Sequence, residues 1–221
     1  SDSWGGELGG LVLHLNTPGV HDLCRRVDGP KDEPISTLSD YQQKVVQLRK
    51  RGLVYPYEII HMLTPGADDT QSHLPPGDFT EYDLDEDNHL LPVERPYGKN
   101  KAAIIVGVMR NYTSNYCEGM IRVILLGDPS KNMGSVSEPE CRRINEAINL
   151  AERMHVPLEW FPLSAGAKIS MDSGTENMDW IARTLRRLIE YTQGGGRVNI
   201  VVNGINVGAQ PYWNAEATML M

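Results

Sequence analysis

From Met120 to Val202 apolar runs alternate with helix-forming segments, and this order constrains the fold more than any other feature of the chain. Met120 to Gly127 is rich in Ile and Val, as is the preceding run Ala102 to Met109, and both read as strands. Ser137-Glu138-Pro139-Glu140 is a capping-box start with Pro inside the first turn. Ile144, Ile148, Ala151 and Met154 follow on one helical face until Pro157, and the strand Leu158 to Leu163 comes next. Ser173-Gly174-Thr175-Glu176 opens a second helix with Ile181, Thr184, Leu185, Leu188 and Ile189 as its inner face. Gly194-Gly195-Gly196 ends it before the strand Val198 to Val202. Strand, helix, strand, helix, strand implies an α/β fold with a largely parallel sheet.

Upstream the signals are more varied. A glycine-rich start leads to a short strand, Leu11 to Leu15, ended by Asn16-Thr17-Pro18-Gly19. Residues 21–37 are polar, carry Pro30 and Pro34, and read as a loop. Leu38, Tyr41, Val45 and Leu48 recur at helical spacing, and Gly52 stops that helix. Val54 to Met62 is apolar with no clear period. Residues 65–80 are rich in Pro, Gly and Asp and read as an exposed connection. Phe79–Leu84 and Leu90–Val93 flank Asp85-Glu86-Asp87-Asn88-His89 as a hairpin. The organisation expected is an N-terminal segment, 1–64, leading into a core, 65–221. The chain stops just inside the apolar stretch Ala217 to Met221, which reads as a strand beginning, so a longer polypeptide is expected.

A net charge of −8 argues against wholesale binding to nucleic acid or an anionic membrane. No apolar run approaches the roughly 20 residues of a membrane span, and no signal peptide opens the chain. Cys24, Cys117 and Cys141 are far apart, fit a reducing cytoplasmic setting and make no zinc or disulfide pattern.

Two small-residue turns carry the functional signal. Ser164-Ala165-Gly166-Ala167-Lys168 follows one strand, and Asn203 to Ala209, with Gly208-Ala209, follows another. Small residues there let another group approach the main chain, and a strand breaking into a helix leaves backbone N–H groups for an anionic oxygen. That points to chemistry run by backbone donors. Tight strand–helix packing is the alternative for both.

Other motifs have plainer readings. Asp83-x-Asp85-x-Asp87 with Glu94 imitates a calcium loop, but Asn88 stands where Gly is needed and Pro92 intrudes, so a solvated hairpin turn is preferred. The histidines, with Glu58-x-x-His61 a lone half-motif, show no paired metal-ligand spacing, and no metal is expected. Ser164 as a nucleophile lacks the G-x-S-x-G context. Gly194-Gly195-Gly196-Arg197 fits a helix stop better than a phosphate cradle. Arg110, Arg122, Lys131, Arg142, Arg143 and Lys168 are candidate phosphate contacts, most of them read as solvated.

In order and spacing the segments resemble the N-terminal half of the carboxyltransferase domain of multidomain, eukaryotic-like acetyl-CoA carboxylases. Leu15-Asn16-Thr17-Pro18 resembles I-N-T-P-Y, Tyr55-Pro56-Tyr57-Glu58 resembles Y-x-Y-D-x-P, and Phe79–Leu91 resembles the family hairpin. Gly127-Asp128 and Met133-Gly134-Ser135 resemble G-N-D-I-T-Y-R-I-G-S-F-G, and Ala151-Glu152 with Val156-Pro157 resembles A-R-A-E-G-I-P. Ser164 to Ile169 resembles N-S-G-A-R-I, with Lys168 in place of Arg, and Asn206 to Ala209 resembles I-G-I-G-A-Y. Gln210-Pro211-Tyr212-Trp213 departs from the usual helix start, and the zinc ribbon of the bacterial β subunit is absent.

The resemblance implies a crotonase (ClpP/crotonase-like) fold of repeated ββα units. It implies carboxyl transfer from carboxybiotin, on a separate carrier domain, to acetyl-CoA, giving malonyl-CoA, with biotin itself taking the α proton. The N–H groups of Gly208 and Ala209 would form the oxyanion hole, and Ser164, Ala165, Gly166, Ala167 and Lys168 would border the CoA channel. The implied partners are the C-terminal carboxyltransferase half, the biotin carboxyl carrier and biotin carboxylase domains, and a second copy in a dimer. The site forms between the N half of one subunit and the C half of another, so this half should be inactive alone. A hydratase-type crotonase, with Glu176 and Glu216 as acids, and a non-catalytic assembly domain are the alternatives.

Overall fold

The computed structural model describes residues 12–15, 25–28, 37–168 and 174–221. Leu11, Asn16-Thr17-Pro18-Gly19, His21, Cys24, Pro30, Pro34, Ile169 and Ser173 lie outside them. The chain divides into two units, Ser1–Leu38 and Ser39–Met221.

In the first unit strand β1 (Val12–Leu15) pairs antiparallel with β2 (Arg25–Asp28), Val12 opposite Asp28 and Leu15 opposite Arg25. β2 corrects the reading of 21–37 as loop throughout. Its Arg-Arg-Val-Asp sequence has no apolar alternation, so the strand is legible only through its partner.

The second unit begins with helices α1 (Asp40–Lys50) and α2 (Pro56–Leu63). Ser39 caps α1 in a reciprocal capping box with Gln42. α2 starts on Pro56 and buries Tyr57, Ile59 and Ile60. Burial of neighbours on more than one side leaves no clear period in Val54–Met62.

Strands β3 (Gly77–Leu84), β4 (Leu90–Pro92), β5 (Ile104–Thr113) and β6 (Tyr116–Gly127) follow. Then come α3 (Glu138–Met154), β7 (Leu158–Phe161), α4 (Glu176–Gln193), β8 (Val198–Ile200), the short α5 (Gln210–Asn214) and β9 (Met219–Leu220). They form an α/β unit on one seven-stranded sheet, ordered β4-β3-β5-β6-β7-β8-β9. β6 to β9 are parallel, whereas β4, β3, β5 and β6 are antiparallel. The sheet is therefore mixed rather than largely parallel. The short β3–β4 and β5–β6 connections permit only antiparallel neighbours.

Side-chain alternation along β5 and β6 divides the interior in two. Ile104, Val106, Val108, Val123 and Leu125 join Cys141, Ile144, Ile148 and Leu188 of α3 and α4. Ile105, Met109, Ile124 and Leu126 join Leu48, Tyr55, Tyr57 and Ile60 of the α1–α2 region. Both faces are covered, so these strands read as continuous apolar runs.

A buried charge cluster ties three of these elements together. Glu81 and Asp83 project from β3, each at most 4% exposed in its side chain. Tyr57 Oη donates to Glu81 at 3.1 Å, Arg95 donates to Asp83 at 2.5 Å and also to Glu81, and Arg143 Nε of α3 donates to Asp83 at 2.8 Å. Burial alone would raise the Asp83 carboxyl, but the Arg95 hydrogen bond, the Arg143 charge and the Leu84 N–H together hold it below the usual range. Asp83 is thus committed to the fold, and no calcium loop starts there. Asp85, Asp87 and His89 lie exposed together at the hairpin turn, where the Asp85 carboxylate accepts the Asp87 and His89 N–H groups.

Replacing Arg95 by Met leaves two buried carboxylates with one guanidinium. We expect a loss of about 3–5 kcal/mol in urea unfolding. Because the folded-state value of Asp83 is depressed, its contribution is complete above the unfolded carboxyl value near ~4 and falls as pH drops through the lower folded value. Asp83→Asn should abolish that acid-side slope while lowering stability at neutral pH, measured by unfolding between roughly pH 2 and 7.

Candidate functional site

The loops after β6, β7 and β8 lie side by side at the carboxyl ends of three parallel strands. This is where open α/β sheets place ligands. The loop after β7 carries Ser164 to Lys168, and the loop after β8 carries Asn203 to Ala209. They join as a parallel bridge, Ser164 opposite Asn206, in which Ser164 N donates to Ile205 O at 2.7 Å and Val207 N to Ser164 O at 3.1 Å. On its other side the first turn bonds the loop after β6. Ala165 N donates to Met133 O, Val136 N to Gly166 O and Lys168 N to Val136 O, at 2.8–3.0 Å.

The two small-residue turns meet at their glycines. A Cβ on Gly208 would stand 2.8 Å from the Gly166 Cα. Gly208 also has φ +69°, in the left-handed region that favours glycine. Close approach and backbone sign both exclude a side chain at this position.

Among the described residues, no acceptor bonds the N–H of Gly208 or Ala209, which precede α5. Five other turn amides are engaged: Ser164, Ala165, Lys168 and Val207 donate to carbonyls, and Gly166 donates to Ser164 Oγ at 3.1 Å, whereas the N–H groups of Ala167 and of Asn203 to Asn206 also have no acceptor among the described residues. Ser164 is buried, and its hydroxyl oxygen caps its own turn. Its place is that of a local brace.

Side-chain amides hold the second turn. Asn206 Nδ2 donates to Pro162 O and Gly204 O, both at 3.1 Å, and Asn206 Oδ1 accepts from Asn214 Nδ2 at 3.0 Å. Gln210 Nε2 reaches Asn214 Oδ1 at 2.9 Å. Trp213 stacks on Trp160 with centroids 5.7 Å apart and donates Nε1 to Ile181 O. The departure Gln210-Pro211-Tyr212-Trp213 is thus one turn of helix pinned by buried amides and an indole. Behind the turns the interior is nearly filled, with a void of about 10 Å³ beside Ser164, Leu163 and Gln210.

A cleft of about 380 Å³ opens beside the first turn, between 101–103, the loop 130–137 and Lys168. Of the residues assigned to a channel wall, Lys168 lines this cleft. Ala165 is exposed, whereas Gly166 is buried against the second turn. At the cleft floor Glu140 accepts Ala103 N at 2.9 Å, Ser137 N at 3.0 Å and Ser137 Oγ at 2.8 Å, closing the α3 capping box. Lys101 and Asn214 stand in no motif of the sequence, and Ser135 and Asn206 stand in resembling segments that give neither of them a role of its own. They come together only when three loops stack.

The remaining motifs resolve as structure. Gly194, Gly195 and Gly196 direct their N–H groups to carbonyls of α4, and a Cβ on Gly196 would strike the Tyr191 ring, so this run is a helix stop. Glu176 accepts the Gly174 N–H beside the start of α4. Burial pushes the Cys141 thiol up to about 12, and Cys117 is exposed. No helix among the described residues is long and apolar enough to cross a membrane. No family model matches the chain, and no curated protein matches it.

The close approach of the turns is testable against a matched glycine. Gly52 has φ +71° with nothing within 4 Å of an added Cβ. Both Ala variants bear the left-handed strain, but only Gly208→Ala must displace the facing turn. Gly208→Ala should therefore cost about 1–3 kcal/mol more than Gly52→Ala in thermal unfolding.

Proposed function

We propose that the chain is the N-terminal half of a carboxyltransferase site in a biotin-dependent acetyl-CoA carboxylase, with a crotonase-type fold. The observation that carries this reading is the pair of apposed turns in which the Gly208 and Ala209 N–H groups have no acceptor among the described residues. A β-hairpin leading directly into a helix, β5–β6–α3, supports a ββα plan.

Carboxyl transfer to an acyl-CoA needs the thioester enolised. Negative charge then builds on the thioester oxygen, and preorganised donors stabilise it. The Gly208 and Ala209 N–H groups supply two such donors on a backbone that cannot reorganise, since Gly208 is seated on Gly166. Small residues on both turns let the thioester come within hydrogen-bond reach. Carboxybiotin, brought by a carrier domain, would supply the carboxyl group as carbon dioxide, and the biotin left behind would take the α proton, so no side-chain base is required here. Lys168 offers a point charge where the resembling family has a planar Arg, which removes bidentate recognition.

Ile205, Val207 and Tyr212 are 44%, 46% and 70% exposed around the second turn. In this reading they are the apolar surface that the C-terminal half of a second copy covers, and the enzyme works in the cytoplasm with its carrier and carboxylase domains. A hydratase-type crotonase needs paired acids near the acyl carbon, and the Glu176 carboxylate instead accepts a local N–H.

Residues 1–221 alone should give no malonyl-CoA from carboxybiotin and acetyl-CoA, and no hydration of crotonyl-CoA. In the longer protein Ala209→Pro is the sharp probe. Ala209 has φ −71°, which proline adopts, so the change removes one N–H without altering the φ of residue 209. It should lower kcat by about 10²–10³-fold with assembly intact. Full carboxyl transfer by this variant would leave only an assembly role for the fold.

A further inference from the structure

We infer that the cleft beside the first turn is a phosphate-binding site, with Lys101, Lys131 and Ser135 as its ligands and a diphosphate as the group it takes. In a chain of net charge −8, three ammonium-bearing side chains, Lys101, Lys131 and Lys168, line one cleft of about 380 Å³. That volume suits part of a nucleotide-sized ligand. No carboxylate among the described residues pairs with Lys101 or Lys131. Glu140 is the acidic residue of the lining, and both its oxygens already accept from Ala103 and Ser137. It also closes the start of α3, so the anion is held by the lysines and not by free helix amides.

Ser135 is the independent mark of a ligand. It lines the cleft, is 9% exposed, and its buried Oγ has no hydrogen-bond partner. A buried hydroxyl without a partner is costly, and a phosphate oxygen would accept its proton. Its position is fixed: Ser135 N donates to Asn132 O at 3.0 Å, and Gly134 is closed against the Leu163 carbonyl. Lysines suit a diphosphate, whose charge is spread over several oxygens and needs point charges more than a planar fork.

The cleft also has the right neighbour. Val136, between the lining residues Ser135 and Ser137, is bonded to Gly166 and Lys168, and Gly166 touches Gly208. A ligand with its diphosphate on Lys101 and Lys131 can extend along the first turn toward the Gly208 amide. Assigning the diphosphate to a coenzyme A thioester rests on the carboxyltransferase reading, whereas the phosphate site itself does not.

The test is amide-shift titration of the 221-residue chain with coenzyme A, ADP, inorganic pyrophosphate and pantetheine, at up to millimolar concentration. Coenzyme A, ADP and pyrophosphate should shift Ser130 to Val136, and pantetheine, lacking the diphosphate, should leave them unmoved. The double variant Lys101→Ala/Lys131→Ala should weaken pyrophosphate at least tenfold and reduce its salt dependence. Ser135→Ala should weaken it several-fold, with unchanged melting temperature in both variants. Failure of pyrophosphate and coenzyme A to move these amides overturns the inference, as does undiminished binding by the lysine pair variant. Pyrophosphate binding that depends on the lysines, in a longer protein that transfers no carboxyl group, keeps the phosphate site and discards the carboxyltransferase reading.

Discussion

Everything in the larger unit depends on the β5–β6 pair being buried on both faces. A strand covered on one side can let its other side chains reach water. Here alternate residues of β5 and β6 go to α3 and α4 or to the α1–α2 region, so every position in the central stretch is apolar. Removing apolar surface from water on two faces supplies the driving force. Period-two alternation then fixes the register, because a one-residue slip would exchange the two cores. The parallel strands are short, and they are held by pairing outward from β6.

That arrangement places the turns. Three parallel strands end together, and their following loops bond to one another in sequence, from the loop after β6 to that after β7 and then that after β8. Adjacent loops share two or three backbone hydrogen bonds. In the loop after β8 the N–H groups of Gly208 and Ala209 are left without acceptors, as are those of Asn203 to Asn206. Free donors of this kind arise where the stacking ends, with the Asn206–Asn214–Gln210 amides holding the turn. The charge cluster on β3 does separate work. It fastens α2 and α3 to β3, one strand in from the β4 edge of the sheet.

Much of this was legible in the residues. The capping box at Ser137, the glycine stop after α4 and the Asp85–His89 hairpin turn follow from local chemistry and stand where expected. Both small-residue turns could be found because they end apolar runs. Their contact could not, since 41 residues lie between Gly166 and Gly208 and only the pairing of β7 with β8 and the bridge between their loops bring them together. β2 was hidden because Arg25–Asp28 has no apolar pattern, and α2 because its burial erases periodicity. The lysine cleft was illegible for a different reason: Lys101, Lys131 and Lys168 are single surface-type residues until three loops converge.

The central claim is that loop stacking leaves the Gly208 and Ala209 amides without acceptors while engaging those of Ser164, Ala165, Lys168 and Val207. Amide hydrogen exchange on the isotope-labelled chain tests it directly. The account predicts fast exchange at Gly208 and Ala209 beside slow exchange at Ser164, Ala165, Lys168 and Val207. Protection at Gly208 and Ala209 equal to that of those four would contradict it.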